Sequence, residues 1–483
     1  MQSELILDNE KRVAQGSATF ERRHPITNNV VTTAAAGGVK DAIAAADSAG
    51  TAFKTWRHST PSDRRRILLK AADALEAKTP EFIETMAAEI GASALWAGFN
   101  VFLAATAFRE AASMTTQIQG ETIPTDKPGA LSMTVRQPVG VILSIVPWNG
   151  PVVLAARAIA YPLMCGNAVV FRASEASPRT HMLVAEALVE AGLPPGVLNF
   201  LTNAPQDAPE VIDALIAHKA VRRINFTGST KVGRIIAQKA AVHLKRCLLE
   251  LGGKSPLVVL KDANIDDAVK AAVFGSFLYQ GQICMSTERI VVDESIADEF
   301  VAKFAAQTRN LPSGDPMTNP QCVIGPMMSK DSGPRLNALI DDALAKGAKL
   351  ACGGRADGAT MPATIVDHVT RQMKIFDEET FGPVTTIVRV NGDAEAIAAA
   401  NDTAYGLSAA VFCKDVMRAL NVALQIDTGA CHVNGATVQN EAQAPYGGTK
   451  DSGYGRFDGR AVIDEFTELK WITIETAGQQ YPV

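Results

Sequence analysis

Val139-Gly140-Val141-Ile142-Leu143-Ser144-Ile145-Val146-Pro147-Trp148-Asn149-Gly150-Pro151-Val152-Val153-Leu154-Ala155-Ala156 is a run of eighteen uncharged residues. That is about the length of a helix that crosses a bilayer. Its middle forbids such a helix: Pro147, Gly150 and Pro151 would break backbone hydrogen bonds at a depth where no water replaces them. The run divides instead into a buried strand, Val139 to Val146, a tight loop, and an apolar helix from Val152 to Leu163. From Gln137 to Phe171 the only charged residue is Arg157. A lone guanidinium in an apolar helix has two readings, lining a polar cavity or pairing with a buried acid, because buried charges need partners.

Outward from this unit, strand-length apolar runs alternate with helical patterns. Ala168–Arg172, Val197–Leu201, Arg223–Phe226 and Arg246–Glu250 read as short buried strands. Pro178–Ala191, Ala208–Ala217 and Thr230–Ala241 read as the helices between them, the last opening after Gly228-Ser229. Such alternation predicts an α/β fold with a parallel sheet covered on both faces, a doubly wound nucleotide-binding unit. Upstream, Val39–Lys54, Pro61–Lys78, Pro80–Ile90 and Leu95–Thr115 carry helical patterns. Thr60-Pro61 and Thr79-Pro80 each offer a capping threonine before a proline whose φ is already helical. After Glu250 the alternation restarts: strands at Pro256–Leu260, Arg289–Val292, Thr385–Val390, Ala409–Cys413 and Ala430–Asn434, and helices at Asp266–Tyr279 and from Ser295. This predicts a second α/β unit. Leu131–Arg136 and Trp471–Ile474 alternate outside both patterns, so they pair with each other or across a subunit boundary.

The composition bounds the function. Over 483 residues, 46 Lys+Arg against 51 Asp+Glu give a net charge of −5. That balance argues against nucleic acid or an anionic membrane as partner, since both are captured by a basic excess. A hydrophobic fraction of 47% with 20% charged residues is that of a folded globular chain. At roughly 150 residues per domain, about two to four domains are expected. The seven cysteines are odd in number, with no C-x-x-C pair and no clustered histidines. Neither a disulfide framework nor a metal site is expected, and with no basic-then-apolar leader the expected compartment is the cytoplasm.

Three fragments carry candidate chemistry. In Gln280-Gly281-Gln282-Ile283-Cys284, polar neighbours and a glycine turn raise Cys284 above the other six thiols, although a free cysteine is usually packing. In Leu248-Leu249-Glu250-Leu251-Gly252-Gly253-Lys254, a carboxylate ends an apolar strand; it is either functional or turned to water, and the glycines behind it admit a close neighbour. In Phe226-Thr227-Gly228-Ser229-Thr230-Lys231-Val232-Gly233, a strand passes into a helix whose first N–H groups can hold a phosphate. That last spacing is not the three-glycine dinucleotide fingerprint, and alone it reads equally as a plain strand–helix turn.

Taken in order, Pro-Trp-Asn (147–149), Phe-Thr-Gly-Ser (226–229), Glu-Leu-Gly-Gly-Lys (250–254), Gly-Gln-x-Cys (281–284), Glu-Glu-Thr-Phe-Gly-Pro (378–383) and Pro-Tyr-Gly-Gly-x-Lys-x-Ser-Gly (445–453) run through nearly the whole chain. In this order they resemble the aldehyde dehydrogenase superfamily, and within it the enzymes of aromatic aldehydes such as vanillin, benzaldehyde and salicylaldehyde. The resemblance implies a Rossmann-like cofactor domain at 1–117 and 138–250, a catalytic domain at 251–463, and a β-flap at 118–137 and 464–483 that joins subunits into a dimer or tetramer.

The resemblance also implies roles. Cys284 matches the nucleophile that forms a thioester, Glu250 the base that activates water for its hydrolysis, and Asn149 the oxyanion donor. Gly228 and Ser229 match the pyrophosphate turn, Glu379 and Phe381 the surroundings of the nicotinamide ribose, and Trp148 and Gly252 lie along the same site. Arg172-Ala173-Ser174-Glu175 stands where the family usually has Lys-Pro-Ser-Glu at the adenosine ribose. Glu175 would repel a 2′-phosphate and so favours NAD, whereas Arg172 would tolerate NADP. Gly150 replaces an aromatic residue of aliphatic relatives and should open space for a flat ring. Trp96, Ile283, Met285 and Tyr446 match funnel positions, and Arg157 resembles an arginine of the aromatic group. The activity implied is NAD-dependent oxidation of an aromatic aldehyde, salicylaldehyde foremost, to its acid. Oxidation of a semialdehyde, acyl transfer to coenzyme A, a non-catalytic role on this fold and a papain-like thiol hydrolase are the alternatives. No motif places a histidine beside Cys284, which speaks against the last.

Overall fold

A computed structural model of the chain describes residues 1–475 and 481–483. The opening run forms strand Val141–Ile145 and helix Pro151–Met164, and all fourteen helix residues are buried. Pro151 takes the first helical turn, where its missing N–H costs nothing. Among the described residues no helix is long and apolar enough to cross a membrane.

Val141–Ile145 lies inside an eight-stranded sheet, flanked by Ala168–Arg172 and then Leu198–Leu201 on one side, and by Val221–Thr227 and then Arg246–Glu250 on the other. These five strands pair in parallel. Their near-continuous burial is what a sheet covered on both faces requires. Of these five, the first in the chain is the middle one; the next two build outward one way, and the last two cross and build the other way. The crevice beyond the carboxyl ends of Val141–Ile145 and Val221–Thr227 is therefore a topological switch point, the usual place for a ligand in such sheets. Pro147-Trp148-Asn149 and Gly228-Ser229 follow those two strands.

A seven-stranded sheet holds Thr364–Asp367, Val384–Val390, Thr287–Asp293, Ser255–Val259, Ser408–Phe412 and Ala430–Val433 in parallel, with Lys349–Cys352 antiparallel at one edge. The two stray alternating segments pair with each other: Leu131–Pro138 runs antiparallel to Thr467–Ile474, with Thr134 opposite Trp471. The expected flap segment 464–483 includes residues 476–480, which lie outside the described residues.

Several expectations need correction. Gln2–Ser3, Val30–Ala35 and Thr19–Arg23 form a further sheet that no apolar periodicity in the sequence marks. Gly453–Tyr454, from the region expected to be catalytic, pairs with Arg246–Glu250 at the edge of the first sheet. Thr60 does cap its helix by accepting the Asp63 N–H, but Thr79 is already helical and Lys78 precedes it as the cap residue. The helix predicted over Asp266–Tyr279 stops at Phe277. Tyr279 and Gln280 then adopt left-handed φ values of 49° and 44°. Tertiary contacts hold them there: Tyr279 stacks on Trp96 at 5.1 Å, and buried Gln280 donates to the Pro326 carbonyl at 2.7 Å. The resulting turn directs Cys284 toward the first sheet.

Candidate active site

One cleft of about 440 Å³ opens at the switch point. Its walls include Trp148, Asn149, Glu250, Gly252 and Cys284, together with Arg172, Ser174, Glu175, Gly228, Ser229, Glu379 and Phe381. All the residues expected to be catalytic or to touch a cofactor thus meet in one place. They arrive there because each sits just past the carboxyl end of a parallel strand or on a loop packed against one.

At the deep end, Cys284 is half-buried and Glu250 is 1% exposed. Tyr446 joins them: its hydroxyl donates to Glu250 Oε1 at 3.3 Å and lies 3.3 Å from Cys284 Sγ. Glu250 Oε2 has no hydrogen-bond partner among the described residues. Burial raises the pKa of Glu250, opposed by Arg157 and by hydrogen bonds from Cys284 and Tyr446. Burial, with the Glu250 carboxylate beside it, holds the Cys284 thiol well above its usual value. Asn149 Nδ2 donates to the Gln282 carbonyl at 3.1 Å, and Trp96 Nε1 donates to the Asn149 carbonyl at 3.0 Å. With one amide N–H anchored, the second is left for an oxygen in the cleft.

The six residues expected to touch substrate divide. Trp96, Ile283, Met285 and Tyr446 belong to one apolar cluster, against which Trp148 and Cys284 pack. Gly150 does not face a void: a Cβ there would meet Val153 Cγ1 at 3.3 Å, Leu154 Cγ at 3.4 Å and Asn100 Oδ1 at 3.5 Å. What the glycine contributes is the absence of bulk at a packed wall, not open space. Arg157 is not on the cleft wall; it pairs with buried Asp458 at 3.7 Å and lies over the Tyr446 ring at 4.5 Å. Of its two readings the structure takes the buried pair, one ring away from the thiol. Burial works against the Arg157 charge, but Asp458, Tyr446, Glu250 and Cys284 together raise its pKa. Asp458 is itself pushed up by burial, to about 6.

At the other end the chemistry suits a dinucleotide. Ser229 caps helix Thr230–Val242 by accepting the Val232 N–H, leaving the helix start toward the cleft. A Cβ at Gly252 would come within 2.9 Å of Glu379 Oε2, so a side chain there would make that carboxylate shift. Glu379 accepts the Gly253 N–H at 2.9 Å, and burial and Glu288 raise its pKa to about 7. Arg172 is already engaged: Nε donates to Asn203 Oδ1 at 2.8 Å and Nη2 pairs with Glu175 at 3.0 Å.

Sequence reasoning missed Glu288, Lys254 and Asp458. Glu288 accepts the Thr380 and Phe381 N–H groups at 2.7 and 2.9 Å. It also pairs with buried Lys254 at 2.8 Å, which donates to the Glu378 carbonyl. These bonds hold Phe381 at a left-handed φ of 44°. A signal was present for Glu288, a carboxylate inside the apolar strand Thr287–Asp293, and for Lys254, a cation just before the apolar strand Ser255–Val259. For Asp458 in Phe457-Asp458-Gly459, no local signal distinguishes it from a turn aspartate.

Fold and site together define a class: a doubly wound nucleotide-cleft enzyme with a cysteine beside a buried carboxylate. The chain belongs to the aldehyde dehydrogenase family, whose pattern matches residues 13–472. Enzymes of this family use a nicotinamide adenine dinucleotide, NAD or NADP. The chain is 66% identical over 482 residues to a salicylaldehyde dehydrogenase of Pseudomonas putida, covering 100% of both chains. It is 51% identical over 479 residues to a vanillin dehydrogenase of Pseudomonas fluorescens, covering 99% of each. It superposes, with a TM-score of 0.99, 65% identity and 100% coverage of both chains, on a crystal structure of a salicylaldehyde dehydrogenase from Pseudomonas putida G7 complexed with salicylaldehyde.

Proposed function

We propose that this enzyme oxidises an aromatic aldehyde, salicylaldehyde foremost, to its carboxylate with NAD as the oxidant. The observation that carries the reading is the meeting of Cys284, Glu250 and Asn149 at one end of a cleft whose other end suits a dinucleotide. The similarity to salicylaldehyde dehydrogenases over the full length supports the choice of aldehyde.

Cys284 Sγ attacks the carbonyl carbon, and the oxyanion that forms accepts the free Asn149 N–H and the Cys284 backbone N–H. Loss of one such donor costs about 3 kcal/mol in the barrier. A nicotinamide dinucleotide, when bound, supplies the two-electron acceptor; Gly228 and Ser229 would hold its pyrophosphate, and Glu379 and Phe381 its nicotinamide ribose. Cys284 is then left as a thioester. Glu250 takes a proton from the water that attacks the thioester carbonyl, and its burial suits it to do so near neutral pH. Trp96, Ile283, Met285 and Tyr446 form the apolar wall against the ring.

Glu175 favours NAD over NADP, because its carboxylate repels a 2′-phosphate while Arg172 is committed to Asn203 and Glu175. Exposed Leu131, Leu469, Trp471 and Ile474 on the three-stranded sheet support a homo-oligomer, dimer or tetramer, with 118–137 and 464–483 as the joining region. The seven cysteines are all unpaired, which fits the reducing cytoplasm.

A steady-state comparison of salicylaldehyde, vanillin, benzaldehyde and short alkanals with NAD tests this reading. The expected order of kcat/KM puts salicylaldehyde first; an alkanal in that place overturns the aromatic assignment. Release of an acyl-coenzyme A product when coenzyme A is added would overturn the hydrolytic step.

A further inference from the structure

Within hydrogen-bond reach of both the thiol and the carboxylate stands a hydroxyl. The Tyr446 O–H donates to Glu250 Oε1 at 3.3 Å. Its oxygen, 3.3 Å from Sγ, is then left to accept from the Cys284 S–H. A path of donors thus runs from thiol to phenol to carboxylate, beside the direct hydrogen bond between Cys284 and Glu250. The phenol is fixed in place: Tyr446 and Phe457 exchange backbone hydrogen bonds at 2.7 Å in both directions. The Arg157 guanidinium lies 4.5 Å over one ring face and is itself held by Asp458 at 3.7 Å.

Resting on the assignment of Cys284 as nucleophile and Glu250 as base, we propose that Tyr446 is a catalytic proton relay, whose hydroxyl takes the thiol proton as it passes its own proton to Glu250 Oε1. The S–H bond breaks as an O–H bond forms on Tyr446. The original Tyr446 O–H bond breaks as one forms on Glu250. Cys284 becomes a thiolate, Glu250 becomes neutral, and the phenol ends neutral with its proton exchanged; no oxidation occurs, and Glu250 releases that proton to solvent through the open cleft before it serves the water step. Ordinary general acid–base assistance of this kind is worth about a hundredfold or more.

The surroundings suit the transfer. Burial raises Glu250, which makes it a better proton acceptor than an exposed carboxylate. Burial also holds the Tyr446 hydroxyl well above its usual value, so it passes protons without resting as a phenolate. The other charged or titratable groups facing the trio are Arg157, on helix Pro151–Met164, and behind it Asp458 and Tyr161. Arg157 favours the negative charge wherever it sits along the relay.

The test is alkylation of Cys284 by iodoacetamide in the protein without nucleotide, followed across neutral and alkaline pH and read on the Cys284 peptide by mass spectrometry. Tyr446→Phe keeps the ring and its contact with Arg157 and removes only the hydroxyl. The expected result near neutral pH is a loss of about ten- to a hundredfold in rate, with the pH profile moved upward. Glu250→Gln should lose as much, and the double variant no more than the slower single. A wild-type profile in Tyr446→Phe, even with a raised KM for aldehyde, overturns the relay and leaves Tyr446 as pocket wall. Additive losses in the double variant overturn it as well. Failure of the underlying assignment looks different: Cys284→Ala would keep its turnover.

Discussion

The two ends of the cleft are built on opposite plans. The nucleotide end consists of strand-end turns, backbone N–H groups and partly exposed carboxylates such as Glu175, each supplied by a short local stretch. The thiol end is a buried charged network, Cys284, Tyr446, Glu250, Arg157 and Asp458, drawn from distant parts of the chain. A group such as Glu175 at the first end can change with little disturbance of the core, because water already reaches it. At the second end each group is the partner that makes its neighbour's burial tolerable, so chemistry and stability are coupled there.

The largest expected difference is in turnover. Glu250→Gln should lower steady-state NADH production by about a hundredfold or more while keeping a first-turnover burst, itself slowed by the loss of the thiol-proton acceptor, since acylation precedes the water step. Stopped-flow absorbance separates the two phases.

Stability should part the two ends next. Arg157→Met leaves Asp458 buried without its cation and should cost about 3–5 kcal/mol. Glu175→Ala breaks a pair whose acid is 40% exposed, and should cost about 1 kcal/mol or less. Urea unfolding of both variants checks the contrast; equal losses would erase it.

A smaller effect tests whether the nucleotide end has a buried support of its own. Glu288→Gln weakens the hold on the Thr380 and Phe381 backbone and should raise the KM for NAD about tenfold, with Cys284 alkylation unchanged, and it should also lower stability because Lys254 is left buried without its carboxylate. The smallest effect is on pH. Glu379, at about 7, is the ionised acceptor above that pH, so the KM for NAD should rise a few-fold as pH falls from about 8 to 6, and Glu379→Gln should flatten the trend. Its folded value lies above that of an exposed carboxylate. The stability it contributes is therefore complete below the ordinary carboxylate range and is lost as pH rises through about 7.

The same contrast explains what could be read in advance. The five central strands of the first sheet were legible because a doubly covered sheet needs continuous apolar runs, and Val141–Ile145 has one. Gly228-Ser229 and Glu250 were legible because turn and strand end are local features. Thr19–Arg23 was not, because its charged, half-exposed pattern carries no core face. The left-handed turn at Tyr279 and Gln280 was hidden too, since stacking on Trp96 overrides the local helical preference. Arg157 announced itself as the one charge in an apolar helix. Its partner Asp458 lies three hundred residues on in a turn, and only folding shows that they meet.

The most direct measurement is intact-mass and peptide analysis of Glu250→Gln after mixing with salicylaldehyde and NAD. The expected result is a salicyloyl thioester on Cys284, one per chain, with one equivalent of NADH released. NADH formed with no adduct on Cys284, or an adduct at another residue, would contradict the account.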